Sequence, residues 1–375
     1  MKTTDRRNFL AQSGAVLTAA TLGSACSSES SEKKVQAPYI NFNDTFRWKM
    51  VTTWPPNFPI LGEGCNLFAQ WVNEMSGGRM EITVYGGGEL VPALEVFDAV
   101  SSGAVEVGHG AGYYWAGKIP AAQFFATVPF GMNAQQMNAW LVGGGGTELW
   151  QETYHDYNLI PYPGGNTGMQ MGGWFNKEIR SIEDIQGLKM RIPGIGGKVF
   201  NQAGGTSVLV AGGEIYTNLE RGVIDATEWI GPFHDYQMGF HQVAQYYYYP
   251  GWHEPGTALE LSVNKEKYEA LPTDLQVIIA AAAERLNHWS LCRSEAMNSE
   301  YAIKLAEEEG VEFRRFPDDV LATFRKYSQE VVADLTSQDS LAKRANEAYA
   351  KFQKQMAQYT PYNEQIYHSD FGTIA

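Results

Sequence analysis

The chain has little cysteine: three in 375 residues, at positions 26, 65 and 292. That spacing leaves no room for a Cys-x-x-Cys metal or redox motif. Positive charge is also scarce, with 28 Lys and Arg against 42 Asp and Glu and a net charge of −14. Nucleic-acid binding needs clustered basic side chains to replace counterions, so that partner class is excluded. No apolar stretch approaches the roughly 20 residues of a membrane-spanning helix. The run from 11 to 22 is too short and too rich in Thr and Gly. Missing too are the Gly-x-Ser-x-Gly elbow, the Walker loop and the His-Glu-x-x-His zinc motif. What remains abundant is aromatic and flexible: 13% Phe, Trp and Tyr, with 39 glycines. Tyr and Trp suit pockets that need apolar area with a polar handle.

The first 26 residues read as an export signal. A basic stretch holding Arg6-Arg7 and Phe9-Leu10 precedes the short apolar run, as in twin-arginine signals. Cys26 follows Gly23-Ser24-Ala25 in an arrangement that resembles a lipoprotein processing site, although Leu22 stands one place too far away. The alternative is ordinary cleavage, with Cys26 lost. Residues 27–43 form a Ser- and Glu-rich tether. Cys65 and Cys292 are expected as two unpaired, buried thiols.

From residue 46 onward, strand and helix patterns alternate. Strands are predicted at 46–53, 80–85 and 105–108, with helices at 61–75 and 94–102 between and after them. Strand–helix–strand alternation predicts an α/β fold with parallel sheet and crossover helices. Pro161, Pro163, Gly164 and Gly165 make a pliable first crossing into a second domain, with strands at 187–192 and 246–249 and a helix starting at Lys198. A return strand spans 258–263, and a helical pattern over 272–309 is long enough to reach across both domains. The expected division is 44–167 plus 255–300 for one domain and 168–254 plus 301–324 for the other. Residues 325–375 form a C-terminal helical extension.

The stretch GVIDATEWIGP, 222–232, places Glu228 beside Trp229 before a Gly-Pro turn. Neighbouring side chains on extended backbone point to opposite sides, so both reach one ligand only if one contributes backbone. Gly194-Ile195-Gly196-Gly197 lacks the full dinucleotide-loop spacing. His234 and His241 are better explained as core or solvated residues than as zinc ligands, and His253-Glu254 has only adjacency to suggest an acid–base pair. Tyr113, Tyr114 and Trp115 follow a strand end, where α/β proteins hold ligands; packing between domains would equally explain them. The set that survives is Gln170, Arg191, Glu228, Trp229 and Glu254. Arginine grips a carboxylate through its planar fork. Two carboxylates, an amide oxygen and a backbone carbonyl suit a hard cation, Ca²⁺ or Na⁺. An anion between them reconciles the two, and a small 2-oxo or 2-hydroxy acid fits. Trp174 and Phe175 are expected as apolar walls.

Several motifs then carry a family resemblance across 46–358: GHGAGYYWAGKIPAAQFFATVPFG, GNTGMQMGGWF, GLKMRIPGIGGKVF, LERGVIDATEWIGP and GWHEPG, in this order. The chain resembles the substrate-binding proteins of TRAP (tripartite ATP-independent periplasmic) transporters of the DctP type, in the subgroup that binds 2-oxo acids. The resemblance implies a two-domain periplasmic-binding-protein fold with hinge strands and a cleft that closes on the ligand. It implies Arg191 as the grip on the substrate carboxylate, with Gln170, Trp229, Tyr113 and Tyr114 near it. Gln170, Glu228, Trp229 (through its main-chain carbonyl) and Glu254 become the cation ligands. A periplasmic, non-enzymatic transport role follows, with delivery to integral membrane TRAP subunits and a homodimer through the C-terminal helix. The rival readings are a secreted metal-dependent enzyme acting on a 2-oxo acid, a sensor's binding module, and a binder of a different organic acid.

Overall fold

A computed structural model describes residues 44–370. The export signal, Cys26 and the tether lie outside the described residues. The α/β fold is built on two sheets. The first has the order β2-β1-β3-β10-β4, from Phe46–Thr52 (β1), Met80–Tyr85 (β2), Val107–Gly110 (β3), Leu159–Asn166 (β4) and Ala258–Asn264 (β10). The second has the order β11-β9-β5-β8-β6-β7. Its strands are Gly173–Phe175 (β5), Lys189–Arg191 (β6), Thr206–Val208 (β7), Ala226–Thr227 (β8), Tyr246–Tyr249 (β9) and Phe313–Arg315 (β11).

The sheets are mixed rather than parallel throughout. β1 runs parallel to β2 and β3, as the crossover helices require, whereas β10 runs antiparallel to β3 and β4. In the second sheet β5 is antiparallel to both β8 and β9. Each reversal comes from chain that returns from the other sheet, a long-range event that strand–helix alternation does not encode. The residues read as a pliable crossing are partly β4 itself. Its prolines, which lack a donor, are tolerated because this strand lies at the sheet edge and pairs only with β10.

Local chemistry sets many of the helix ends. The Leu61–Met75 helix buries Leu61, Cys65, Phe68, Trp71 and Val72, and stops where Gly77 and Gly78 take φ of +64° and +82°. The glycines at 194–197 sit inside the Gly194–Gln202 helix, which therefore starts four residues earlier than its apolar pattern suggests. A Cβ on Gly197 would stand 2.6 Å from the Ile192 carbonyl oxygen, and one on Gly196 3.0 Å from the His253 Cβ. These glycines serve close packing against β6 and the 253 turn.

The long helix, Thr273–Glu307, buries Leu275, Ile279, Ala282, Ala283, Leu286 and Ser290 at helical spacing. It lies against β4 and the Leu61–Met75 helix, and further on against the Pro232–Gln237 helix beside the second sheet. There Asn298 Oδ1 accepts from the Phe233 N–H at 3.0 Å, and Phe233 meets Tyr301 edge-on at 4.8 Å. The C-terminal helices, Asp318–Gln338 and Ser340–Tyr359, pack onto the body of the protein. Tyr349 is buried against Trp140, and its hydroxyl accepts from the Met132 N–H at 2.6 Å. Both thiols at 65 and 292 are free, but only Cys65 is buried; Cys292 is exposed, on the side of the long helix opposite the inward-facing Ser290 and Ser294.

Candidate functional site

Five short segments at strand ends and sheet crossings bring the charged residues together. β6 and β8 are parallel neighbours with Arg191 opposite Thr227, so Arg191 and Glu228 emerge side by side. The Glu228 N–H donates to the Arg191 carbonyl at 3.2 Å, which fixes that register. Gln170 and Glu254 lie on the two crossings between sheets, joined by a 3.2 Å bond from the Gln170 N–H to the Glu254 carbonyl. Tyr113 and Tyr114 sit in a single 3₁₀ turn, Gly112–Trp115, just after β3.

Arg191 is 1% exposed, as is Glu228, and the two form a direct ion pair through Nη1 and Oε1. Nη2 donates to the Tyr114 hydroxyl at 3.1 Å, and the guanidinium lies over the Trp229 ring at 5.3 Å. Burial works against the Arg191 charge, but the Glu228 carboxylate together with Tyr114 and Tyr113 outweighs it, so the guanidinium is held more firmly protonated than usual. Three donors converge on one oxygen of Glu254. Oε2 accepts from the Thr257 hydroxyl at 2.6 Å, Gln170 Nε2 at 2.8 Å and the Tyr113 hydroxyl at 3.3 Å. A carboxylate only accepts, so the Gln170 amide must present its nitrogen here and turn its oxygen elsewhere. Burial first, and the Glu228 charge second, push Glu254 up to about 7. Burial and the Glu254 charge also hold the Tyr113 hydroxyl well above its ordinary value, hence neutral.

Polar atoms left without partners mark where a ligand would complete the site. Among the described residues the buried atoms Gln170 Oε1, Arg191 Nε, Trp229 Nε1 and His253 Nδ1 have no hydrogen bond. Buried groups rarely stay unpaired without a reason. Glu228, His253 and Glu254 each offer a ligand atom within 4.8 Å of the others. With both acids ionised the cluster carries one more negative than positive charge. An acceptor-rich, net-negative pocket with an orphaned amide oxygen fits a hard cation. The space left beside Tyr113, His253 and Glu254 is only about 10 Å³, room for no more than a water. A larger crevice of about 640 Å³ opens between 53–56, 87–95 and 209–214, but Arg191, Glu228 and Glu254 do not line it. We place the site at the polar cluster, where the convergent charges are.

All seven residues singled out from sequence meet in this one cluster. Trp174 and Phe175 do not line it. Trp174 stacks on Tyr247 at 4.0 Å and donates to Asp235 at 3.1 Å, while Phe175 packs on Tyr248 and Phe316 in the core. The apolar wall is instead Trp54 and Phe58, which meet Trp229 edge-on at 6.1 and 6.0 Å. They follow β1, and only the Trp54-Pro55-Pro56 sequence at that strand end hinted at them. Thr257 and Asp235 carried no sequence signal. His253 belongs to the cluster through Glu228, its Nε2 lying 3.4 Å from Oε2.

Residues 50–339 match the profile of the DctP family, bacterial extracellular solute-binding proteins of family 7. The chain belongs to this family. A monocarboxylate 2-oxoacid-binding periplasmic protein of Nostoc sp. is 41% identical over 366 residues, 97% of this chain and 98% of its own. Among solved structures, a TRAP periplasmic solute-binding protein of Pseudoalteromonas atlantica with bound sodium and pyruvate is 42% identical. It superposes with a TM-score of 0.85 over 88% of this chain and all of that one. A counterpart from Colwellia psychrerythraea with bound calcium and pyruvate is 41% identical with the same TM-score and coverage. A third, from Bordetella bronchiseptica, is a dimer of mixed occupancy with calcium and picolinate. It is 38% identical with a TM-score of 0.85 over 87% of this chain and 97% of that one. This DctP-family chain is therefore a TRAP solute-binding protein with the two-domain fold of that class. Among the described residues no helix is long and apolar enough to cross a membrane.

Proposed function

We propose that the protein captures a small 2-oxo or 2-hydroxy monocarboxylate, of the pyruvate or lactate kind, together with Ca²⁺ or Na⁺, and hands it to TRAP membrane subunits. The observation that carries this reading is one buried guanidinium set against an acceptor-rich cluster whose Gln170 oxygen is unpaired. Arg191 takes the ligand carboxylate, aided by the Tyr114 hydroxyl. Gln170 Oε1, Glu228, the Trp229 carbonyl and Glu254 hold the cation, which supplies the positive charge that lets a second anion enter. The bound ions of the Pseudoalteromonas and Colwellia proteins support the pairing of pyruvate with a cation.

The two sheets serve as the cores of two domains, 44–167 plus 255–300 and 168–254 plus 301–324, that part to admit the ligand and close over it. The nearly filled cluster supports such a motion, since no acid enters it as it stands. Capture without turnover is supported by the solute-binding family to which the chain belongs. Calorimetric titration tests the reading. Pyruvate should bind in the presence of Ca²⁺ or Na⁺ and lose most of its affinity in chelated, sodium-free buffer. Equal binding in both buffers removes the cation, and no binding of any short 2-oxo or 2-hydroxy acid removes the ligand class.

We also propose a homodimer through the C-terminal helices. Tyr359, Tyr362 and Tyr367 are 56, 83 and 60% exposed, an aromatic surface that a second copy would cover. Sedimentation should give a dimer that a chain ending at Gln358 no longer forms. A monomeric full-length chain overturns this. Anchoring through a lipid on Cys26 is the remaining proposal, and mass spectrometry of the mature N-terminus decides it.

A further inference from the structure

The turn that follows β8 presents three consecutive carbonyls, and two of them are already engaged. The Glu228 carbonyl accepts from the Thr227 hydroxyl at 2.8 Å, and the Ile230 carbonyl accepts from the Met171 N–H at 2.9 Å. Between them, no donor among the described residues bonds the Trp229 carbonyl. Its direction is set from behind. A peptide unit is planar and trans, so the Trp229 C=O and the Ile230 N–H point in opposite directions along one rigid group. The Ile230 N–H donates to Asp235 Oδ1 at 3.1 Å. Asp235 is 1% exposed, and its other oxygen is held by the Tyr247 hydroxyl at 2.8 Å and Trp174 Nε1 at 3.1 Å. Those two rings stack on each other at 4.0 Å, so the carboxylate cannot swing away.

We propose that Asp235 is a positioning residue for the cation: it aims the Trp229 carbonyl into the cluster and, through its charge, makes that oxygen a stronger ligand. An amide and an indole N–H can only donate, so they are satisfied together by a carboxylate. A negative charge on the N–H side of a peptide polarises the group and leaves more electron density on its carbonyl oxygen. Partners one bond removed from a metal ligand typically change metal affinity about 10- to 100-fold when mutated. This inference rests on the reading of the Trp229 carbonyl as a cation ligand, and its test separates the two.

Ca²⁺ affinity is measured by calorimetry without organic acid, alongside the melting temperature of the metal-free protein, for wild type, Asp235→Asn and Tyr247→Phe. Asparagine keeps an acceptor for the Ile230 N–H but removes the charge. Phenylalanine removes one donor and leaves the charge in place. The expected result is about tenfold or greater weakening in Asp235→Asn, and wild-type or slightly tighter affinity in Tyr247→Phe, although both variants melt lower without metal: asparagine turns its amide nitrogen toward donors, and phenylalanine leaves a hydrogen bond unmade. Equal weakening in both variants shows that packing alone governs the site and overturns the proposal, as does unchanged affinity in Asp235→Asn. Should Asp235→Asn not fold, a loss of affinity in Tyr247→Phe overturns it and retained affinity supports it. A wild-type protein that takes up neither Ca²⁺ nor Na⁺ overturns the underlying reading of the carbonyl instead.

Discussion

Glu254 and Glu260 lie six residues apart, both buried, and burial pushes each up to about 7. Their surroundings differ in one respect. Glu260, on β10, has donors on both oxygens: the Ser262 hydroxyl on Oε1, and on Oε2 the Tyr154 hydroxyl at 2.8 Å and Trp115 Nε1 at 3.3 Å. The set is closed. Glu254 has all three of its donors on Oε2, and around it stand a second carboxylate and an amide oxygen with no partner. A buried acid whose acceptors are matched by donors holds a fold together, whereas one surrounded by surplus acceptors waits for a cation. Burial and a raised pKa alone would not have told them apart.

The largest expected effect falls on the open cluster. On the proposed reading, Arg191→Ala removes the charge-assisted partner of the ligand carboxylate and strands Glu228, so pyruvate affinity should fall by about 2–5 kcal/mol. Calorimetry showing an unchanged dissociation constant would mean the carboxylate is held elsewhere. A sharper contrast comes from treating the two acids alike. Glu254→Gln should weaken Ca²⁺ binding at least tenfold while the metal-free protein melts near the wild-type temperature. Glu260→Gln should leave ligand binding intact and lower stability by about 1–3 kcal/mol, because its amide nitrogen faces donors. If both variants lose ligand and neither loses stability, the distinction fails.

The smallest effect is in pH. A carboxyl raised in the folded state binds a proton that the unfolded chain, with its ordinary value near 4.5, has already released. Stability is then greatest below about 4.5 on this account and falls as pH rises through 7. Metal-free protein should lose a few degrees of melting temperature between pH 5 and 8. Ca²⁺ should remove the part due to Glu254 and Glu260→Gln the part due to Glu260, leaving the share of Asp235, which burial also pushes up to about 7. A flat profile in the metal-free wild type would show that both acids stay ionised.

Much of this was legible in the sequence. The apolar spacing of Leu61–Met75 and the glycines after it defined that helix, and the alternation of strand and helix gave the α/β class. The motifs around Arg191, Glu228 and Glu254 singled out the cluster, and family resemblance assigned roles to its members. Glu228 and Trp229 had to divide their contributions between side chain and backbone because they are adjacent on an extended chain. The reversed strands β5 and β10, the wall of Trp54 and Phe58, and Asp235 behind Ile230 were not legible. Each depends on segments far apart in sequence, brought together by packing across the two sheets.

By itself, then, the sequence determined which residue types are available and which neighbours must face apart, since period and adjacency are local properties of a chain. Tertiary structure alone decided which buried polar atoms find partners. Gln170 meets Glu254 across 84 residues, Arg191 meets Glu228 across 37, and Tyr154 meets Glu260 across 106. Whether an acid is matched or left open is a sum over such distant pairs, and no window of the sequence contains it.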